Sequence, residues 1–226
     1  MIRAVVFDFD GVLANSEPLH FRAFRDVLTA EGLTLTEHAY YSKYLGYDDV
    51  GAFRAIAADQ DRKLDAAEVA SWVRRKAQKL EALERGVSVL FPGAREAIAR
   101  MARSGPIAIA SGALREEIMR VLEREQLAAL FSAVVAAEDT PSSKPDPAPY
   151  TRAVELLQPL GDLALSPSQC VAIEDSHWGL ISAKRAGLRT VGITHSYAAV
   201  DLHEAELVIE HLDELTPELF QQFSRA

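Results

Sequence analysis

The chain has 226 residues, 49% of them hydrophobic, which is long enough for one large domain or a core with a smaller companion. A formal net charge of -9 disfavours a nucleic-acid partner, because phosphate backbones attract basic surfaces, and directs attention to a small ligand. Cys170 is the sole cysteine, which excludes an intramolecular disulfide, and no run nears the roughly eighteen apolar residues of a membrane span, so a cytoplasmic protein without a membrane partner is expected.

The N-terminus runs without a charged leader into a first strand, Ala4 to Phe7, whose apolar run reads as buried on both faces. Alternation along a strand puts Asp8 and Asp10 on one side and Phe9 on the other, and Gly11 then lets the backbone turn away. Two like charges that close are costly unless a cation or a shared proton compensates them, so a divalent metal site is the leading explanation. Ser16 is expected to cap a helix that has Glu17 and Pro18 in its first turn and runs to about Glu31. Helical patterns follow at roughly 36–45, 48–59 and 65–85, broken near Gly46 and Asp61, with no strand among them.

Two polar residues stand out in this helical stretch. His20 shares a partly apolar face with Phe24, Val27 and Glu31, and Lys76 interrupts a stripe of Val69, Trp72, Val73, Leu80 and Leu83. Each has an ordinary reading, as a satisfied interior or hinge histidine and as a snorkelling lysine, beside a substrate-binding one. Lys43 and Lys79 read as solvated, and Trp72, Trp178 and the Tyr40-Tyr41 pair as packing area.

Phe91-Pro92-Gly93 ends the helical stretch, and the pattern changes to alternating helix and strand. Strands are predicted at 107–110, 133–137, 170–173, 190–193 and 207–209, and helices near 94–103, 114–126, 147–158, 177–186 and 216–224. The fold class is therefore α/β: a parallel sheet flanked by helices, with strand 1 in the same sheet, built from residues 1–14 and 92–226 and interrupted by a helical insertion over 15–91.

In open α/β sheets ligands bind beyond the carboxyl ends of the strands, which gives priority to Asp8 and Asp10, Ser111-Gly112, Lys144-Pro145 and Glu174-Asp175. This mixture of carboxylates, a hydroxyl beside a glycine amide and an ammonium suits a phosphoryl group bridged to Mg2+, which prefers hard oxygen ligands. Asp8 and Asp175 are expected as direct metal ligands and Glu174 as an indirect or water-mediated one, since adjacent strand residues face opposite sides. Asp8 is also the expected nucleophile, and Asp10, two residues on, the general acid and base. Ser111, the Gly112 amide and Lys144 are expected to stabilise the charge of the transferring group.

With these roles assigned, the chain resembles the haloacid dehalogenase superfamily, in its β-phosphoglucomutase-like and phosphoglycolate-phosphatase-like subgroup. The motifs are Asp8-Phe9-Asp10-Gly11-Val12-Leu13, Ala110-Ser111-Gly112, Lys144-Pro145-Asp146-Pro147 and Ile173-Glu174-Asp175-Ser176, with Gly179, Ala183 and Ala186-Gly187 following. The resemblance implies a Rossmann-like core with an α-helical cap inserted after strand 1, Mg2+, an aspartyl-phosphate at Asp8 and a metal contact from the Asp10 backbone carbonyl that leaves its carboxylate to move protons. It also implies a cap that closes over the substrate, with His20 linking binding to closure and the Gly46-Tyr47-Asp48 turn contacting substrate. Asn15 and His177-Trp178 depart from the family's usual Asp and small residues.

The function expected is a Mg2+-dependent phosphatase of a small phosphorylated metabolite, a sugar phosphate or a phosphoglycolate-like acid, working as a monomer or small homo-oligomer. A phosphomutase is the alternative, disfavoured because Gly46-Tyr47-Asp48-Asp49 is acidic where a mutase has a basic residue, although Lys76 or Arg54 can substitute. A non-enzymatic phospho-receiver combines similar residues, but the cap and Asp10 speak against it.

Overall fold

A computed structural model describes residues 1–45, 47, 49–85, 88–158 and 165–224. Its chain divides into two compact units, Met1–Asn15 with Val89–Ala226, and Ser16–Ser88.

The first unit is an α/β sandwich. Strand β1 (Ala4–Phe7) is central in a six-stranded sheet of order β3-β2-β1-β4-β5-β6, in which every pairing is parallel. The others are β2 (Ile107–Ala110), β3 (Ala133–Val135), β4 (Cys170–Glu174), β5 (Arg189–Ile193) and β6 (Leu207–Ile209). Val6 stands beside Ala108 on one side and Ala172 on the other. The chain builds outward to β3 and then restarts at β4, so strand order reverses between β1 and β4, and in open α/β sheets ligands bind at the carboxyl ends of the strands beside such a reversal.

Every residue of β1, β2 and β4 is buried, as the apolar runs require when both faces are covered. On one face the small side chains Ala4, Ala108, Ala110 and Ala172 let Tyr150, Ala153 and Leu157 of a helix over Ala148–Leu157 pack close. Each fully buried Val, Ile or Phe contributes about 1.5–3 kcal/mol.

The second unit is helical, with α1 (Glu17–Ala30), α2 (Glu37–Ala39), α3 (Asp49–Ala58) and α4 (Ala66–Glu84) around an aromatic core of Phe21, Phe24, Tyr40, Phe53 and Trp72. No strand occurs among its described residues. Asp65 and Glu68 exchange backbone hydrogen bonds in a capping box that starts α4. The remaining helices, in the first unit, are α5 (Ala94–Ser104), α6 (Arg115–Arg124), α7 (Ala148–Leu157) and α8 (His177–Arg185).

Several local expectations are corrected. The strand expected over 133–137 stops at Val135, because the Asp139 carboxylate accepts the Ala136 amide at 2.7 Å and turns the chain into a short 3-10 segment. The helix expected over 216–224 is 3-10 in character and confined to Leu219–Ser224. The pattern over 36–45 is α-helical only to Ala39 and then widens into a π-turn over Tyr40–Tyr44, which buries both of those tyrosines. Ser16 makes no side-chain cap, since its backbone is already helical, and its carbonyl instead accepts Leu19 and His20 amides. Tyr41 and Trp178 supply little packing, being 39% and 59% exposed. No helix among the described residues is long and apolar enough to cross a membrane.

Candidate active site

Strand β1 ends at Phe7, so Asp8 and Asp10 lie just beyond it and strand alternation does not place them; the turn does. The Asp8 amide donates to the Ile173 carbonyl of β4 at 3.0 Å, which fixes Asp8 across the switch point. Gly11 then adopts φ +78°, and a Cβ there would collide with the Asp175 carboxylate. Only glycine meets both conditions.

Lys144 ties the cluster together. Its Nζ lies 2.8 Å from Asp8 Oδ1 and 2.6 Å from Glu174 Oε1, and the Lys144–Pro145 peptide bond is cis. Glu174 is fully buried, yet both its oxygens are bonded: Oε1 also accepts from Tyr150 Oη at 2.8 Å, and Oε2 accepts from Ser176 Oγ at 3.0 Å. Ser176 Oγ in turn accepts the Gly179 amide at 3.1 Å and so caps α8. A Cβ at Gly179 would run into the Glu174 carboxylate. Asp175 accepts a hydrogen bond from Ser196, and His195, stacked 3.8 Å above Phe91, lies with its Nδ1 2.9 Å from the Gly11 carbonyl.

Ligand oxygens of Asp8, Glu174 and Asp175 lie within 4.8 Å of one another, and all three residues are buried. The Asp10 carboxylate stands outside that group; Asp10 is half-buried, and its charge is felt at Asp8. Ser111 is 3% exposed and is held by its amide on the Val135 carbonyl at 3.0 Å. Ser111, Gly112 and Lys144 line one cavity of about 180 Å3 together with Thr140 and Ser143.

Three carboxylates face one ammonium, and the shifts of Asp8 and Asp175 show where the excess charge falls. Burial, reinforced by Glu174 and Asp10 and opposed by Lys144, raises the Asp8 carboxyl from 3.8 to about 7. Burial and then the Glu174 and Asp8 charges push Asp175 well above the usual carboxylate range. Burial acts to lower Lys144, but Asp8 and Glu174 outweigh it and hold its ammonium above the ordinary lysine value. The two ends of the Asp8–Lys144 pair thus shift in ways that favour protons on both, because a single cation cannot compensate the whole acidic group.

In the helical unit, Lys76 is 2% exposed at its side chain and its Nζ donates to Asp49 Oδ1 at 2.8 Å and lies 3.0 Å from His20 Nδ1. The snorkelling reading fails: this ammonium is buried and bonded, 5.0 Å above the Phe24 ring centroid. Nearby, the Tyr40 hydroxyl donates to Glu17 at 2.7 Å, and burial raises the Glu17 carboxyl. Lys43 and Lys79 have side chains 63% and 43% exposed, with acidic partners 3.7 and 3.9 Å away. Gly46 and Asp48 of the expected substrate turn lie outside the described residues.

Tyr150, Ser196 and His195 were missed by sequence reasoning, and Ser176 was read only as part of a motif, without a role. His195 and Ser196 come two and three residues after β5, so the rule that selected the other strand ends finds them when it is extended by one strand. Tyr150 sits inside α7 with no local signal of its role.

The haloacid dehalogenase-like hydrolase family matches residues 2–187. The chain is 32% identical over 219 residues to hexitol phosphatase B of Escherichia coli strain K12, covering 95% of each chain. It is 28% identical to phosphoglycolate phosphatase of Mesorhizobium japonicum, covering 98% of this chain and 96% of that one. Among solved structures, CbbY of Rhodobacter sphaeroides in complex with xylulose-(1,5)bisphosphate is similar at a TM-score of 0.81 and 26% identity, covering 95% of this chain and 96% of that one.

Proposed function

The chain belongs to the haloacid dehalogenase-like hydrolase family, and from that premise we propose that it hydrolyses the phosphate monoester of a small metabolite, a sugar phosphate or a phosphoglycolate-like acid, with Mg2+ as cofactor. The observation that carries this reading is the convergence of Asp8, Lys144, Glu174 and Asp175 at the switch point of the sheet. The relatives named above, a hexitol phosphatase and a phosphoglycolate phosphatase, support the substrate class.

The donor set fits a hard divalent cation: three buried carboxylates beside one lysine, two of them, Asp8 and Asp175, with raised pKa, hold more negative charge than the protein itself compensates. Asp8 and Asp175 would hold the ion directly, with Glu174, already bonded to Lys144, Tyr150 and Ser176, as an indirect ligand, and the Asp10 carbonyl as a further contact. When bound, such an ion neutralises charge on the phosphoryl oxygens and keeps the carboxylates ionised.

In the proposed reaction an Asp8 oxygen attacks phosphorus and the bond from phosphorus to the substrate oxygen breaks, giving an aspartyl-phosphate. The Asp10 carboxyl gives its proton to the departing alkoxide, then takes one from the water that attacks the phosphorus, releasing orthophosphate and restoring Asp8. Lys144, Ser111 and the Gly112 amide hold the equatorial oxygens, and their shared cavity with Thr140 and Ser143 supports that role. His20 and Lys76 are assigned to substrate selection. Lys76 donates to Asp49, an arrangement that spends part of its charge within the protein and weighs against the gripping of a second phosphate that a mutase requires.

A panel of phosphorylated metabolites, with p-nitrophenyl phosphate as a generic probe, tests the proposal. Phosphate release that needs Mg2+, falls at least about a thousandfold in Asp8→Asn and at least about a hundredfold in Asp10→Asn is expected. Near-normal turnover in either variant removes that residue from its role, and transfer within a hexose 1-phosphate without net phosphate release selects the mutase.

A further inference from the structure

Beyond the carboxylate cluster, the first unit gathers a second set of metal-ligating groups that the proposed reaction does not use. His177 opens α8, and His203 and Glu204 lie between a 3-10 turn at Ala199–Asp201 and β6. One ring nitrogen from each histidine and one carboxylate oxygen lie within 4.8 Å of one another. The two imidazole centroids are 5.1 Å apart, with planes inclined at 37°.

We propose that His177, His203 and Glu204 form a three-ligand site for a divalent transition-metal ion of the Zn2+, Ni2+ or Co2+ class. Imidazole nitrogen suits these ions and does not suit Mg2+, which keeps to oxygen donors, so the two clusters differ in the ion each prefers. Ligands on one such ion, bonded at about 2.0–2.2 Å, stand roughly 3.5 Å apart, so the group must contract by about 1 Å on binding. The His203 side chain, 65% exposed, has the room to do so. His177 Nδ1 is buried and makes no hydrogen bond among the described residues, so coordination at that edge of the ring breaks no existing bond.

Glu204 is prepared on its other side. Its Oε2 accepts from Lys184 Nζ at 2.8 Å, while Oε1 lies 3.9 Å from His203 Nε2. The lysine bond orients the carboxylate and leaves one oxygen toward the imidazoles. Three protein ligands leave a fourth position to water, because the group opens to solvent at His203 and beside the exposed Trp178. Bound there, the ion ties the first residue of α8 to the connection between β5 and β6, two segments that reach the carboxylate site through Asp175 and Ser196.

Calorimetric titration of the full chain with Zn2+, in Mg2+ high enough to saturate the carboxylate cluster, tests the site. One stoichiometric equivalent is expected, weakened at least tenfold in His203→Ala and in Glu204→Gln and unchanged in Asp8→Asn. Titration with Co2+ gives a second readout, a visible d–d absorption that His203→Ala abolishes. Absence of stoichiometric Zn2+ binding, equal affinity in His203→Ala, or loss of the equivalent in Asp8→Asn would each overturn the proposal, the last because it places the ion on the carboxylates.

Discussion

The α/β unit and the helical unit each bury a lysine among acidic partners, but they hold it in different ways. Around Lys144 the partners are fixed by main chain: Asp8 by a hydrogen bond from its amide to β4, and Glu174 as the last residue of that strand. Lys76 is held by side chains from separate helices, His20 of α1 and Asp49 of α3, above an aromatic ring. Lys144 faces carboxylates with side chains 12% and 0% exposed, whereas Asp49 keeps 32% of its side chain in solvent. A buried charge with buried partners loses much when one member of the group is removed, while one whose acidic partner is partly hydrated loses less.

The largest break in this comparison is the chemistry itself, where Asp8→Asn and Asp10→Asn lose the activity already described. Next, Lys144→Met in metal-free protein is expected to cost about 3–5 kcal/mol by chemical denaturation, because it strands buried carboxylates. An unchanged midpoint would show that they protonate without penalty. Gly179→Ala is expected to cost about 1–3 kcal/mol and to lower turnover, since the added methyl must displace the Glu174 carboxylate. A variant with normal stability and activity would mean that α8 yields more readily than its cap suggests.

A smaller effect, taken per unit of pH, is expected from titration. The Asp8 carboxyl, raised from 3.8 to about 7, binds more protons folded than unfolded between those values. Stability of the metal-free protein therefore falls as pH rises from about 4 to about 7, by up to about 1.4 kcal/mol per unit from this group, and the slope flattens above pH 7. Thermal melts in a chelator, compared with Asp8→Asn, isolate it: the variant should show the shallower slope. The smallest change is Lys76→Met, expected to alter stability by less than about 1.5 kcal/mol, because Asp49 remains hydrated, while raising KM more than it lowers kcat. A stability loss equal to that of Lys144→Met would erase the distinction between the units.

Much of the α/β unit was legible in the residues. Apolar runs such as Ala4–Phe7 and Ile107–Ala110 are buried on both faces, a condition with few alternatives, and polar residues directly after them stand out. Legibility failed where a side chain competes with the backbone, as when Asp139 ended β3, or where an element is too short and polar to declare its type, as at Leu219–Ser224. In the helical unit the periodicity marked Lys76 and His20 as neighbours of apolar faces, but Asp49, which accepts from Lys76, was legible only as part of an acidic turn.

By itself the sequence determined the order of strands and helices and which residues follow each strand, because periodicity and turn chemistry are local. It did not determine that Lys144 reaches Asp8 and Glu174 together, that Tyr150 inside a helix holds the same carboxylate, or that Gly11 and Gly179 make room for Asp175 and Glu174. Those are contacts between segments distant in the chain. Parallel pairing of β1 with β4, and the packing of α7 and α8 beside them, brought the segments to one point.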